Sequence, residues 1–299
     1  MARRKKGGKK MRLSTLAVLC VVFVAATAIQ RITDRSEKQT LNKNELSANN
    51  IQNIHDGRND SFCNNDTKFI EGVELPVIRE EDELVLKRTG FTVSYNKVWK
   101  VPNWVAWTLT PERAKGKVKR ADDFLPDPDL DESHRATDAD YYRARYDRGH
   151  MAPAGDMKWD EQAMQESFYL SNICPQAPNL NRGDWRILEE NCREWAAKGH
   201  TLYIVCGPIV ENGKQSKRIG KNKVTVPDHF FKVIFLTGDK PGAIGFIFPN
   251  DDCDKNLFDY AVSVDKVESV TGMDFFHTLP DELEEQVEKM EISKYEPAS

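Results

Sequence analysis

One stretch of helical periodicity, set between runs of β-forming residues, constrains this chain most. From Asp184 to Ala197, Trp185, Leu188, Cys192 and Trp195 recur at helical spacing, and Gly199 follows as a stop. Short β-rich runs at 91–95 and 104–109 precede it, and further runs at 202–206, 230–236 and 243–248 follow, separated by Gly, Pro, Asn and Asp clusters. Strands on both sides of a few helices predict an α+β body with a central, mostly antiparallel sheet flanked by helices. There is no internal repeat and no sign of a second domain.

The ends of the chain differ from this body. Arg3, Arg4, Lys5, Lys6, Lys9, Lys10 and Arg12 precede an uncharged stretch from Leu13 to Gln30 that exits through Ala26-Thr27-Ala28. A basic start, an apolar run and small residues form a secretory signal, and the run is also near the shortest that spans a bilayer, about 17 residues. Residues 1–30 therefore read as a cleaved signal or an anchor held by residues 13–30. The expected product is exported, either secreted or periplasmic, or membrane-bound, with a mitochondrial presequence as the weaker alternative. Residues 31–75 are polar and without period, a composition that cannot bury enough surface to order itself. The folded domain is expected over 76–279, and 280–299 reads as an acidic tail.

Charge narrows what the body can bind. The formal net charge is -4, but seven cations lie in the first twelve residues, leaving 36 basic against 47 acidic residues. A polyanion must then meet a local basic surface or a metal. Two basic runs qualify, Arg113 to Arg120 and Lys214 to Lys223, although solvated loops would look the same. Of six cysteines, Cys20 sits in the apolar segment. Cys63, Cys174, Cys192, Cys206 and Cys253 form no C-x-x-C pair, so their spacing supports no zinc site and fixes no disulfide pairing.

The densest chemistry lies in Asp147-Arg148-Gly149-His150. Histidine titrates near neutrality and suits proton abstraction from water. An arginine two residues earlier projects to the same side of a strand, where it can hold a phosphate oxygen, and Gly149 lets the backbone approach a bulky neighbour. The run 168–172 reads as a second strand ending at Asn172, after which residues 173–178 break the chain. Asn181 then leads into the helix that carries Glu189. This is a ββα unit, and an oxygen donor with a carboxylate two turns on suits a hard divalent ion that keeps most of its water. Each residue also has a plainer reading. Glu189 and Arg193 could form a surface pair, Asn181 a cap, Asn172 a strand end, and Arg120 part of a solvated run.

Taken together, Asp147-Arg148-Gly149-His150, Ser171-Asn172, Leu180-Asn181 and Trp185…Leu188-Glu189 resemble the DNA/RNA non-specific endonuclease family, the endonuclease G-like nucleases of the ββα-metal (His-Me finger) fold. Arg120…Phe124…Asp127, the segment 135–141, Tyr203 to Pro208 and Val226-Pro227…Phe231-Lys232 extend the resemblance over roughly 90–275. It implies hydrolysis of phosphodiester bonds in DNA and RNA, with His150 as general base. Mg²⁺, with Mn²⁺ able to substitute, would be held directly by Asn181 and through water by Glu189 and Asp147. Arg148, Arg120 and Arg182 would contact substrate phosphate, and Asn172 would orient the site. Arg182 stands where the resemblance leads one to expect glutamine. A homodimer is left open, and a catalytically silent nucleic-acid-binding or interaction module on the same fold is the alternative.

Overall fold

The computed structural model describes residues 72–77, 84–211, 213–238, 241–252 and 255–280. The N-terminal apolar segment, nearly all of the polar stretch 31–75, Cys20, Cys63, Cys253 and the acidic tail beyond 280 lie outside the described residues. In chain order the strands are β1 (Leu84–Lys87), β2 (Thr92–Asn96), β3 (Val101–Leu109), β4 (Asp147–His150), β5 (Ile173–Gln176), β6 (Leu202–Ile209), β7 (Arg218–Ile219), β8 (Val224–Thr225), β9 (His229–Leu236), β10 (Gly242–Pro249) and β11 (Ala261–Val262). The α-helices are α1 (Asp138–Tyr141), α2 (Glu161–Ser167), α3 (Pro178–Arg182), α4 (Asp184–Ala197) and α5 (Val264–Thr271).

Seven strands make one sheet in the order β1-β2-β3-β6-β9-β10-β11, and every neighbouring pair is antiparallel. Alternation along the strands loads both faces with apolar side chains. On β6, Leu202, Ile204 and Cys206 face one side while Tyr203 and Val205 face the other. The first side packs against Trp185, Leu188, Cys192 and Ala196 of α4, and the second against Val264 and Val267 of α5 with Phe275 and Phe276. Two covered faces explain why these strands read as almost unbroken apolar runs. An antiparallel sheet with one wet face would instead show polar residues at every second position.

The expected sheet and helix are present, and the helix matches its predicted bounds. The second strand of the ββα unit differs. Residues Leu170–Asn172 form a 3-10 turn, and the strand comes at Ile173–Gln176, where Pro175 pointed to a break. Because among the described residues β5 pairs only with β4, its other edge needs no amide donor and proline fits there.

A buried carboxylate ties this ribbon to the sheet. Asp127 accepts both contacts from Arg88 Nη2 at 2.6 Å, the amide of Asp129 at 3.0 Å, and the hydroxyl of Ser171. It links the β1–β2 turn to the turn that enters β5. Among the described residues Cys174, Cys192 and Cys206 are free buried thiols, and no helix is long and apolar enough to cross a membrane. Replacing Asp127 by Ala would leave the Arg88 guanidinium, whose side chain is only 7% exposed, with the exposed Asp129 carboxylate as its remaining partner. The expected loss is about 2–3 kcal/mol of unfolding free energy, from the charge-assisted bonds removed, read by chemical denaturation. A loss under about 1 kcal/mol would show that this pair does not hold the ribbon.

Candidate active site

The ribbon aligns Asp147 with Gln176, Arg148 with Pro175, Gly149 with Cys174 and His150 with Ile173. Glycine is required at 149 for an internal reason: an added Cβ would collide with the buried Gln176 side chain across the ribbon. The bulky neighbour is therefore part of the chain. The backbone carbonyl of His150 accepts from Trp185 Nε1 at 3.2 Å, which fixes the ribbon over α4. Immediately after it, Ala152 is clamped by Asn172. The Asn172 amide oxygen accepts from Ala152 N at 2.9 Å, and its nitrogen donates to the carbonyls of Ala152 (2.9 Å) and Ser167 (2.8 Å). All three bonds are buried, so Asn172 positions the turn after His150 and does not line the cavity.

That cavity, about 300 Å³, is lined by His150, Asn181, Glu189, Arg120, Arg148 and Arg193, with Arg186, Glu190 and the 153–155 turn at its rim. The imidazole of His150 is 8% exposed. It sits edge-on to Phe168, ring centres 4.8 Å apart, and 5.3 Å from Phe124. Its Nε2 has no hydrogen-bond partner among the described residues. Burial, reinforced by the nearby Arg120 charge, pushes its pKa down to about 3, so the ring is neutral at ordinary pH. Arg120, which the sequence placed in a possible solvated run, comes onto the cavity wall, its guanidinium 5.0 Å from the Phe168 ring centre. Arg148 lies 4.6 Å above the Phe124 ring and pairs with Asp138.

Asn181 sits in α3, one turn before α4 begins, with Gly183 between the two helices. Its amide nitrogen donates to Asp147 at 2.9 Å, which leaves the amide oxygen as its free donor atom toward a cation. Asp147 also takes two bonds from Arg182, each 2.7 Å, and the carboxyl is held below its ordinary pKa by Arg182 and Asn181 against the opposing effect of burial. Both of its oxygens are thus engaged by Arg182 and Asn181, and the bond to Asn181 orients that amide. Arg182 is tied to Asp147 and is not part of the cavity lining.

Glu189 opens partly onto the cavity. Desolvation, opposed by Lys232, pushes its carboxyl up to about 7. The pair it might have formed with Arg193 is not made: Arg193 bonds Asp156 at 2.9 Å instead. Asp156 also accepts from Trp107 Nε1 at 3.0 Å, and beneath it Lys232 is buried with its ammonium 4.0 Å from the Trp185 ring centre. Nothing in the sequence brought Asp156, Arg193 and Lys232 together: it offered Arg193 only as a surface partner for Glu189 and Lys232 only within a later strand. The donor set fits a hard ion held by one neutral oxygen and water, and among the described residues no three His, Cys, Asp or Glu side chains converge on a metal position.

The profile of the DNA/RNA non-specific endonuclease family matches residues 75–282. The mitochondrial nuclease EXOG of zebrafish (Danio rerio) is 40% identical over 206 residues, covering 64% of this chain and 60% of the relative. Mitochondrial endonuclease G of human (Homo sapiens) is 35% identical over 201 residues, covering 63% and 68%. The chain thus spans 60% to 68% of the length of these relatives. A solved structure of an EndoG/EndoGI complex, reported as the mechanism of EndoG inhibition, aligns with a TM-score of 0.63 at 30% identity. It covers 70% of this chain and 91% of that one. Asp147→Ala should release the Asn181 amide and weaken Mg²⁺ binding by about 10- to 100-fold, measured by metal titration. Unchanged affinity would mean that Asp147 does not orient the ligand.

Proposed function

The chain belongs to the DNA/RNA non-specific endonuclease family, and from that premise we propose that it hydrolyses phosphodiester bonds of DNA and RNA with little sequence specificity. The observation that carries the proposal is the convergence of His150, Asn181, Glu189, Arg120 and Arg148 on one cavity. His150 takes the proton of the attacking water. Its neutral ring and unpartnered Nε2 suit that task, since a base must be unprotonated and within reach of its proton.

Arg148 and Arg120 flank the imidazole and stabilise charge on the phosphoryl group. Asn181 would hold Mg²⁺, or Mn²⁺ in its place, and Glu189 would hold water around it. When bound, the ion supplies charge neutralisation and stabilises the leaving oxygen. Contacts to phosphate rather than to base edges fit weak sequence preference. Incubating the purified chain with plasmid and with RNA in Mg²⁺ should cleave both, EDTA should stop it, and His150→Ala should lower the rate by at least about 100-fold. The His150 ring stays neutral as pH falls below 6.5, but Glu189, pushed up to about 7, takes up a proton there, so activity should fall as pH drops through 7 and the loss should follow the carboxylate rather than the imidazole. In that window the unfolded chain binds a proton at His150 that the folded one refuses, so this residue's contribution to stability is lost as pH falls, while Glu189 contributes in the opposite sense below about pH 7. No cleavage in any divalent metal would remove the nuclease reading.

We further propose that residues 1–30 carry the chain to or through a membrane. The word mitochondrial in the names of the zebrafish and human relatives supports a mitochondrial destination beside export. Protease protection of the full chain in isolated fractions should show the body shielded by a membrane, and a body digested in the cytosolic fraction would refute it.

A further inference from the structure

A second cavity, about 240 Å³, shares Arg148 as a wall with the first and is lined by Asp138, Tyr141, Tyr142, Arg143, Tyr146 and Asp147. Its acids are already neutralised, Asp138 by Arg148 and Asp147 by Arg182. Of its other cations, Arg143 is exposed and has no carboxylate partner among the described residues, and Arg145, two residues on and outside the lining, is exposed and likewise has none. Tyr142 is 72% exposed, and the Arg143 guanidinium lies 5.0 Å from its ring centre. Lys217 donates to the Tyr146 hydroxyl at 3.1 Å and stands 4.8 Å from that ring. The lining carries two acids and two arginines, and the positive excess comes from Arg182 and Lys217, which bond its Asp147 and Tyr146 from outside. The backbone here is also costly to hold. Arg143 and Arg145 have φ of 56° and 63°, left-handed values that non-glycine residues adopt only when the surroundings impose them.

We propose that this cavity is a nucleotide subsite beside the reaction centre, in which an unstacked base of the strand stacks on Tyr142 while Arg143 and Arg145 hold the adjoining phosphates. The inference rests on the nuclease reading for its substrate, and it adds a preference to it. A base paired within a duplex has its faces covered by its neighbours, so only a single-stranded or opened segment can stack on the tyrosine. The exposed ring face supplies affinity without reading sequence, because every base has a π-face. The Arg143 and Lys217 side chains beside Tyr142 and Tyr146 add attraction for phosphate.

The test compares the full chain with Tyr142→Ala, Tyr142→Phe and Arg143→Gln/Arg145→Gln, each checked for native circular dichroism. Cleavage kinetics are followed on oligo(dT) and on duplex DNA of the same length. Binding of labelled oligo(dT) is measured by fluorescence anisotropy in EDTA. Tyr142→Ala should raise KM on oligo(dT) and the Kd for it by about 5- to 30-fold, with a smaller rise on duplex and the effect falling on KM rather than kcat. Tyr142→Phe should keep the wild-type values within about twofold, since the ring remains. The double arginine variant should lower the slope of log Kd against log salt by about 0.7 per charge removed. A folded Tyr142→Ala variant within about twofold of wild type on oligo(dT) would overturn the subsite, as would an equal loss on duplex and single strand. If the wild type cleaves nothing yet binds oligo(dT) through Tyr142, the nuclease reading fails and the subsite stands.

Discussion

Three hydrogen bonds from the buried amide of Asn172 hold the site in register. They join the backbone on either side of Ala152 to the end of α2 at Ser167. One residue earlier, Ser171 is bound by Asp127, which in turn is bound by Arg88 at the edge of the main sheet. The four-residue β4–β5 ribbon is too short to be stable alone. Its position is set by these side-chain bonds and by the Trp185 donor to the His150 carbonyl. A buried polar group is expensive unless every partner is in place. That cost makes the arrangement all-or-none, and it gives the imidazole one location relative to α3 and α4.

With the ribbon fixed, burial sets the protonation of the cavity. The same low-dielectric surroundings act oppositely on the two key groups: they lower the pKa of His150 and raise that of Glu189. Neighbouring cations act on both. Arg120 adds to the fall at His150, and Lys232 limits the rise at Glu189. The cavity therefore offers an uncharged proton acceptor beside arginines that would meet phosphate. Asn181, oriented through Asp147 and Arg182, offers a neutral oxygen. Arg182 in place of glutamine acts through this chain of contacts and does not face the cavity.

Beside that centre, the loop 142–146 puts two tyrosines and several cations next to Arg148. A centre that treats all phosphodiesters alike can still favour one form of nucleic acid if a neighbouring surface demands an unstacked base. Shape selection of this kind needs no contact with base edges.

The sequence by itself determined the sheet, the α4 helix and the residues Asp147, Arg148, His150, Asn181 and Glu189 as a group. Periodicity of 2 and of 3.6 is a local property, and the ββα spacing lies within fifty residues. It missed the strand at Ile173–Gln176, because Pro175 argues against a strand unless the chain is known to pair on one edge only. It left Arg120 undecided, because a loop cation and a cavity cation look alike until the loop is placed. It carried no signal for Asp156, offered Arg193 only as a surface partner for Glu189, and marked Lys232 only as part of a later strand. These three meet through contacts between distant segments, 37 residues apart for Asp156 and Arg193. Only the tertiary structure decided which of the free cations face the cavity, which acids are already paired, and how far burial shifts each proton, because those depend on distances and solvent exclusion that no local pattern encodes.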